Sequence, residues 1–142
     1  EVLRETVSGV LAVCRAERAV VVFEDATGDR RAKLATLERL EDVGPTDAEI
    51  SESAIEHARR QGRACIFDDA CGSAEFGDSP SVRLYRPRSL MIAPLQAHGA
   101  TLGYLYVENR SLPKSFSRSD LQLLEGFAPD VVKADRFANG TI

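Results

Sequence analysis

Long apolar runs are missing from this chain. No uninterrupted stretch is longer than residues 19–23, far short of the ~20 residues a helix needs to cross a bilayer. Nor does a charged segment followed by an apolar core open the chain, as it would in a secretory leader. Neither a membrane span nor a secreted precursor is expected, and the start at Glu1 reads as that of a fragment excised from a longer protein. Basic excess is missing too. Lysine and arginine total 18 against 22 acidic residues, for a net charge of −4 and a pI of about 5.2, so no positive field gathers a phosphate backbone and direct nucleic-acid binding is not expected. Cysteine is scarce: Cys14, Cys65 and Cys71 are an odd number with no C-x-x-C pair, which fits reduced thiols in a cytoplasmic protein better than a disulfide framework. His57 and His98 are the only histidines, and no Ser-His-Asp set, HExxH or phosphate-binding loop can be assembled. Asp68, Asp69, Cys71, Glu75 and Asp78 have the spacing of neither a calcium loop nor a zinc site, and read as a solvated acidic loop.

What remains is an ordinary globular balance, 44% apolar and 28% charged over 142 residues, sufficient for one domain across 1–142. Leu3, Val7, Val10, Leu11 and Cys14 recur at helical spacing and predict an amphipathic helix ending near Arg15. Residues 19–24 read as a buried strand, and the turn around Asp25-Ala-Thr-Gly-Asp29 leads into a second strand over residues 32–37. Residues 38–47 read as a loop. Ser51 is placed to cap a short helix with Ala54, Ile55 and Ala58 inward and Gly62 as its left-handed terminator. Residues 64–67 form a third strand, a long loop follows, and Ser79-Pro80 predicts one helical turn over residues 81–85. Residues 88–95 and 101–109 form a second hairpin about His98-Gly99. Phe116, Ser117, Asp120 and Leu121 have the register of a capping box with a hydrophobic staple, opening a long helix with a stripe of Leu121, Leu124, Ala128 and Val131. Leu123 and Phe127 widen that stripe, and Pro129 is expected to bend or break the helix. The order of elements describes an α+β domain: an antiparallel or mixed sheet with helices on its faces.

Ser51-Glu-Ser-Ala-Ile55, Asp69-Ala70, Arg88-Ser-Leu-Met-Ile-Ala-Pro-Leu95, Leu102-Gly-Tyr-Leu-Tyr-Val-Glu-Asn-Arg110 and Phe116-Ser-Arg-Ser-Asp-Leu-Gln-Leu-Leu124 occur in this order over nearly the whole chain. In these pieces the sequence resembles the GAF domain family, most closely the domains fused to bacterial transcription activators, sensor histidine kinases and nucleotide cyclases. The resemblance implies a central antiparallel sheet of five or six strands, terminal helices on one face and a small-molecule pocket on the other, closed by the segment between the third and fourth strands. It implies a cytoplasmic regulatory sensor, not an enzyme, that relays ligand occupancy to a fused output domain through its terminal helices. A ligand-independent dimerisation module is the alternative. A free-methionine sulfoxide reductase also uses this fold, but its cysteine pattern is absent at Ser51 and around Phe76. The family's cyclic-nucleotide signature survives only as Asn109-Arg110, Phe116 and Asp120-Leu121. Cys71 lacks the histidine and aromatic neighbours of bilin-binding relatives. No metal, haem or bilin is expected.

Within that frame, Tyr104, Tyr106 and Glu108 alternate on one face of their strand, opposite Gly103, Leu105 and Val107. The small Gly103 suits close helix packing, which leaves the tyrosine face for a pocket. Ser89 and Met91 are expected on the same side, with Phe67, Asp69 and Phe76 closing the mouth, and Tyr85 is expected among the ligand-binding residues. Tyr packing as a second minor core is the competing reading. Arg110 and Asp120 are expected to tie the strand end to the start of the last helix. The wide apolar stripes of the terminal helices predict a homodimer.

Overall fold

A computed structural model describes residues 2–35, 40–43, 50–68, 89–109 and 116–138. The first helix, α1 (Val2–Cys14), buries the predicted stripe of Leu3, Val7, Val10, Leu11 and Cys14. It stops because Arg15 turns left-handed at φ 54° and the Ala16 N–H donates to the Leu11 carbonyl at 3.0 Å, a Schellman-type ending. Strand β1 (Arg18–Glu24) follows directly and is buried along its middle.

The hairpin from β1 to β2 (Arg30–Ala35) turns on Asp25. Its Oδ1 accepts the N–H groups of Thr27 at 2.9 Å and Asp29 at 3.0 Å and the Thr27 hydroxyl at 2.5 Å, while Gly28 supplies the positive φ of 90°. These bonds, that from Thr27 foremost, hold the Asp25 carboxyl below its ordinary pKa.

A third strand, β3 (Leu40–Val43), pairs antiparallel with β2 in the stretch that the sequence reading assigns to a loop. At the outer edge of the sheet a strand needs only one ladder partner and charged residues are favoured there, so Leu-Glu-Asp-Val carries little strand signal of its own. Helix α2 (Glu52–Gln61) has the predicted caps: Ser51 Oγ accepts the Ala54 N–H at 3.2 Å, and Gly62 closes the helix at φ 67°.

Strands β4 (Cys65–Asp68), β5 (Ser89–Ala97) and β6 (Ala100–Asn109) complete an antiparallel six-stranded sheet in the order β3-β2-β1-β6-β5-β4. His98 and Gly99, at φ 54° and 78°, make the two-residue turn between β5 and β6, the geometry that matches strand twist. Pro94 is tolerated inside β5 because β4 pairs only as far as Ile92, leaving the missing N–H beyond the end of that ladder. The turn predicted over residues 81–85 lies outside the described residues.

The last helix, α3 (Arg118–Ala138), opens with the reciprocal capping box. The Ser117 N–H donates to Asp120 Oδ2 at 2.8 Å and the Asp120 N–H to Ser117 Oγ at 3.1 Å, with Phe116 and Leu121 both buried as the staple. The expected break at Pro129 does not occur, and the helix runs unbroken through it. Pro129 and Glu125 both face solvent, where water can satisfy the Glu125 carbonyl freed by the proline. The buried Ala128, Val131 and Val132 hold the flanking turns against the sheet.

Helices α1 and α3 lie on one face over a cluster that includes Val21, Met91, Ala93, Leu105 and Val107. They run antiparallel, with Gly9 against Phe127 and Cys14 against the Asp120 carbonyl. Helix α2 covers the other face over Val20, Val22, Leu90, Ile92, Tyr104 and Tyr106. Among the described residues no helix is long and apolar enough to cross a membrane.

Candidate functional site: the tyrosine face of the sheet

The register between β5 and β6 decides which predicted residues meet. Ile92 pairs with Tyr106, Pro94 with Tyr104 and Leu90 with Glu108, whereas Met91 pairs with Val107. Phe67 pairs with Leu90 and joins Tyr104 and Tyr106 in the cluster on the α2 face, where the His57 ring meets it edge-on at 5.3 Å between centroids. Met91 belongs to the opposite cluster, beneath α1 and α3, and Ser89, two residues away in the same strand, shares its side. Their expected place beside the tyrosines is therefore corrected by one step of register, which moves every side chain of a strand to the other face. Asp69, Phe76, Tyr85 and Arg110 lie outside the described residues. Asp120 spends its side chain on the Ser117 cap.

The role expected for Gly103 changes as well. A β-carbon there would stand 1.9 Å from the Val22 carbonyl oxygen, so the glycine admits the backbone of β1 and not a helix.

At the inner end of the tyrosine face, Tyr106, fully buried, accepts the Ser51 N–H at 3.3 Å and donates to Glu108 Oε2 at 3.5 Å. Glu108 is itself fully buried and ion-paired with Arg18 at the start of β1. The next residue, Asn109, faces the other way. It accepts the Glu17 N–H at 2.6 Å and donates to the Arg15 carbonyl at 3.2 Å, clasping the turn that leaves α1. Tyr106 and Asn109 of β6 thus hold the cap of α2 on one face and the end of α1 on the other.

At the outer end of the same face lies an open groove of about 420 Å³, lined by Tyr104, Pro94, Leu102, Thr101, Arg59 and Glu24 among others. The Arg59 guanidinium sits 5.6 Å from the centre of the Tyr104 ring. Its Nη2 donates to both Glu24 oxygens at 2.8 and 3.1 Å and its Nη1 to Glu56 at 2.5 Å. Burial pushes the Tyr104 hydroxyl above its ordinary pKa, with Arg59 opposing the shift. An aromatic wall, an apolar floor and a few convergent polar groups are the usual make-up of a small-molecule site, and the volume falls in the usual range. The competing expectation also holds in part, because both tyrosines are buried in a second core and only Tyr104 lines the groove. Among the described residues no group of three or more His, Cys, Asp or Glu side chains is placed to hold a metal.

Sequence reasoning singled out neither Glu24 nor Arg59, nor Arg18 as a partner for Glu108. Alternation did place Glu108 on the tyrosine side, and a lone carboxylate on an otherwise apolar face is the signal that could have flagged it.

The model of the GAF domain matches residues 1–134, and the chain belongs to the GAF domain family. Among solved structures, GAF3 from Slr1393 of Synechocystis sp. PCC6803, in its photoproduct state, is 15% identical with a TM-score of 0.72, covering 96% of this chain and 92% of that one. The GAF domain region of a putative membrane protein from Geobacter sulfurreducens is 19% identical with a TM-score of 0.66, covering 95% and 93%. A domain of a putative two-component sensor histidine kinase from Sinorhizobium meliloti is 15% identical with a TM-score of 0.61, covering 97% and 94%. At these identities the likeness shows the fold. No curated protein is a significant sequence match.

Proposed function

We propose that this GAF domain is a small-molecule-sensing, non-catalytic module of a larger bacterial signalling or transcription-regulatory protein in the cytoplasm. It takes a ligand on the tyrosine face and reports occupancy to a fused output domain through α1 and α3. The observation that carries this reading is the groove of about 420 Å³ beside Tyr104, on the opposite side of one sheet from both terminal helices. The two-component sensor protein that contains a similar domain supports the same role.

The second reading, dimerisation alone, is favoured by Val13 and Leu123. These are the exposed large hydrophobic residues among those described, at 46% and 43%, and they lie on neighbouring helices. Both readings include a homodimer through α1 and α3, and they part on the ligand.

Thermal unfolding in the presence of nucleotides, amino acids and heterocyclic cofactors separates them, because a compound that binds only the folded state at 100 times its Kd adds about 2.7 kcal/mol. Sensing predicts compounds that raise the melting temperature of the wild type but not of Thr101→Arg, which fills the groove from an exposed strand position. If no compound does so, dimerisation is the better account.

A further inference from the structure

Arg30 and Arg31 follow one another in β2 and therefore project to opposite faces of the sheet. Their register partners in β1 are Glu24 and Phe23. On the α2 face, Arg30 Nη1 donates to both carboxylate oxygens of Glu52 at 2.8 and 2.7 Å, in the first turn of α2. Its Nη2 lies 3.5 Å from Glu24, the same groove carboxylate that holds Arg59. Hydrogen bonding to Glu52 raises the Arg30 pKa further.

On the other face, Arg31 donates from Nη1 and Nη2 to the two oxygens of Asp135 at 2.9 and 2.8 Å. Its guanidinium lies 4.2 Å over the Phe23 ring. Asp135 is only 7% exposed and belongs to the C-terminal half of α3. A second hollow, about 510 Å³, flanks this pair and shares Glu24, Asp25 and Leu102 with the groove.

We propose that the Arg30-Arg31 dipeptide is a two-faced tie through which the state of the groove sets how the C-terminal half of α3 docks on the sheet. The two guanidinium groups are anchored through one peptide bond where β2 leaves the hairpin turn, so this end of the strand cannot shift for one face alone. A ligand group that competes for Glu24 loosens the hold of Arg30 and Arg59 on that side. The strand end then moves Arg31, whose bidentate bonding to Asp135 tolerates little change of angle. The use of this tie in signalling rests on the sensing reading above. Its existence is tested without any ligand.

Backbone amide exchange on the whole chain reads it. Glu24→Gln is expected to speed exchange in residues 131–138 by about 2- to 30-fold, the range of a coupling change of 0.5–2 kcal/mol, with residues 118–124 of the same helix unchanged. In an Asp135→Asn background, where Arg31 has already lost its bidentate partner, Glu24→Gln should add nothing further at residues 131–138. Glu52→Gln, at an exposed position of α2 that does not line the groove, should give the same pattern more weakly and decides the matter if Glu24→Gln does not fold. The proposal is overturned if residues 131–138 are unaffected, if all of α3 speeds up uniformly, or if the two substitutions act additively. Absence of any ligand in the thermal experiment would remove the sensing reading and leave this result standing.

Discussion

Gly103 of β6 presses against Val22 of β1 so closely that a β-carbon on the glycine would lie 1.9 Å from the Val22 carbonyl oxygen and 2.8 Å from the Phe23 α-carbon. Both obstacles are backbone of a buried central strand, so neither can swing aside as a flexible side chain would. Gly103→Ala is expected to cost at least about 2 kcal/mol, in the upper part of the usual range for single substitutions. Urea unfolding measures it. A loss below about 0.5 kcal/mol would show that the two strands separate at little cost.

Glu108 and Arg18 form a buried ion pair whose carboxylate is fully enclosed. Glu108→Ala, which removes the buried carboxylate paired with Arg18, is expected to lose about 3–5 kcal/mol, while the paired replacement Arg18→Met with Glu108→Leu should recover most of it. Tyr106→Phe removes the acceptor of the Ser51 N–H and should cost about 1–3 kcal/mol for a buried donor left without it. Chemical denaturation of the three variants tests the set, and a double variant as unstable as Glu108→Ala would refute the first part.

Much of this fold was legible because its signals are local. Ser51, Gly62, His98-Gly99 and the Ser117–Asp120 box each act within a few residues, and each stands where its sequence neighbourhood put it. Register is not local. Whether Met91 faces the tyrosines or the terminal helices depends on pairing with Val107, sixteen positions on by number, and nothing in the alternation of β5 alone selects one side. The same holds for β3, which takes its strand character from β2, and for Pro129, whose cost depends on the solvent around Glu125. The ion pair of Arg31 with Asp135 spans 104 positions, so spacing could not reveal it.

Asp120 should act through the cap. Asp120→Ala removes the acceptor of the Ser117 N–H and a carboxylate at the positive end of α3, for an expected loss of about 1 kcal/mol in thermal or urea unfolding. The loss should appear with no change in the binding of any compound that stabilises the wild type. A change in affinity would assign Asp120 to the ligand site instead.

Cys14 gives a dependence on pH. Burial, reinforced by Asp120, pushes its thiol up to about 11. Below the ordinary thiol pKa both folded and unfolded forms are protonated and the group adds no pH dependence. As pH rises past that value the unfolded chain ionises first, so stability falls until the folded thiol also ionises near 11. Urea midpoints between pH 8 and 11 should therefore drop more steeply for the wild type than for Cys14→Ala. Parallel curves would count against the burial argument. At neutral pH, alkylation of the native protein should reach the half-buried Cys65 well before Cys14.

Sensing requires communication between the groove at Tyr104 and the helices on the far side of the sheet. Amide exchange on the wild type, with and without a saturating compound that stabilises it but not Thr101→Arg, measures this directly. Protection in β6 and α2 accompanied by altered exchange in α1 and in residues 131–138 of α3 is the predicted result. Protection confined to the groove, with both terminal helices unchanged, would contradict it.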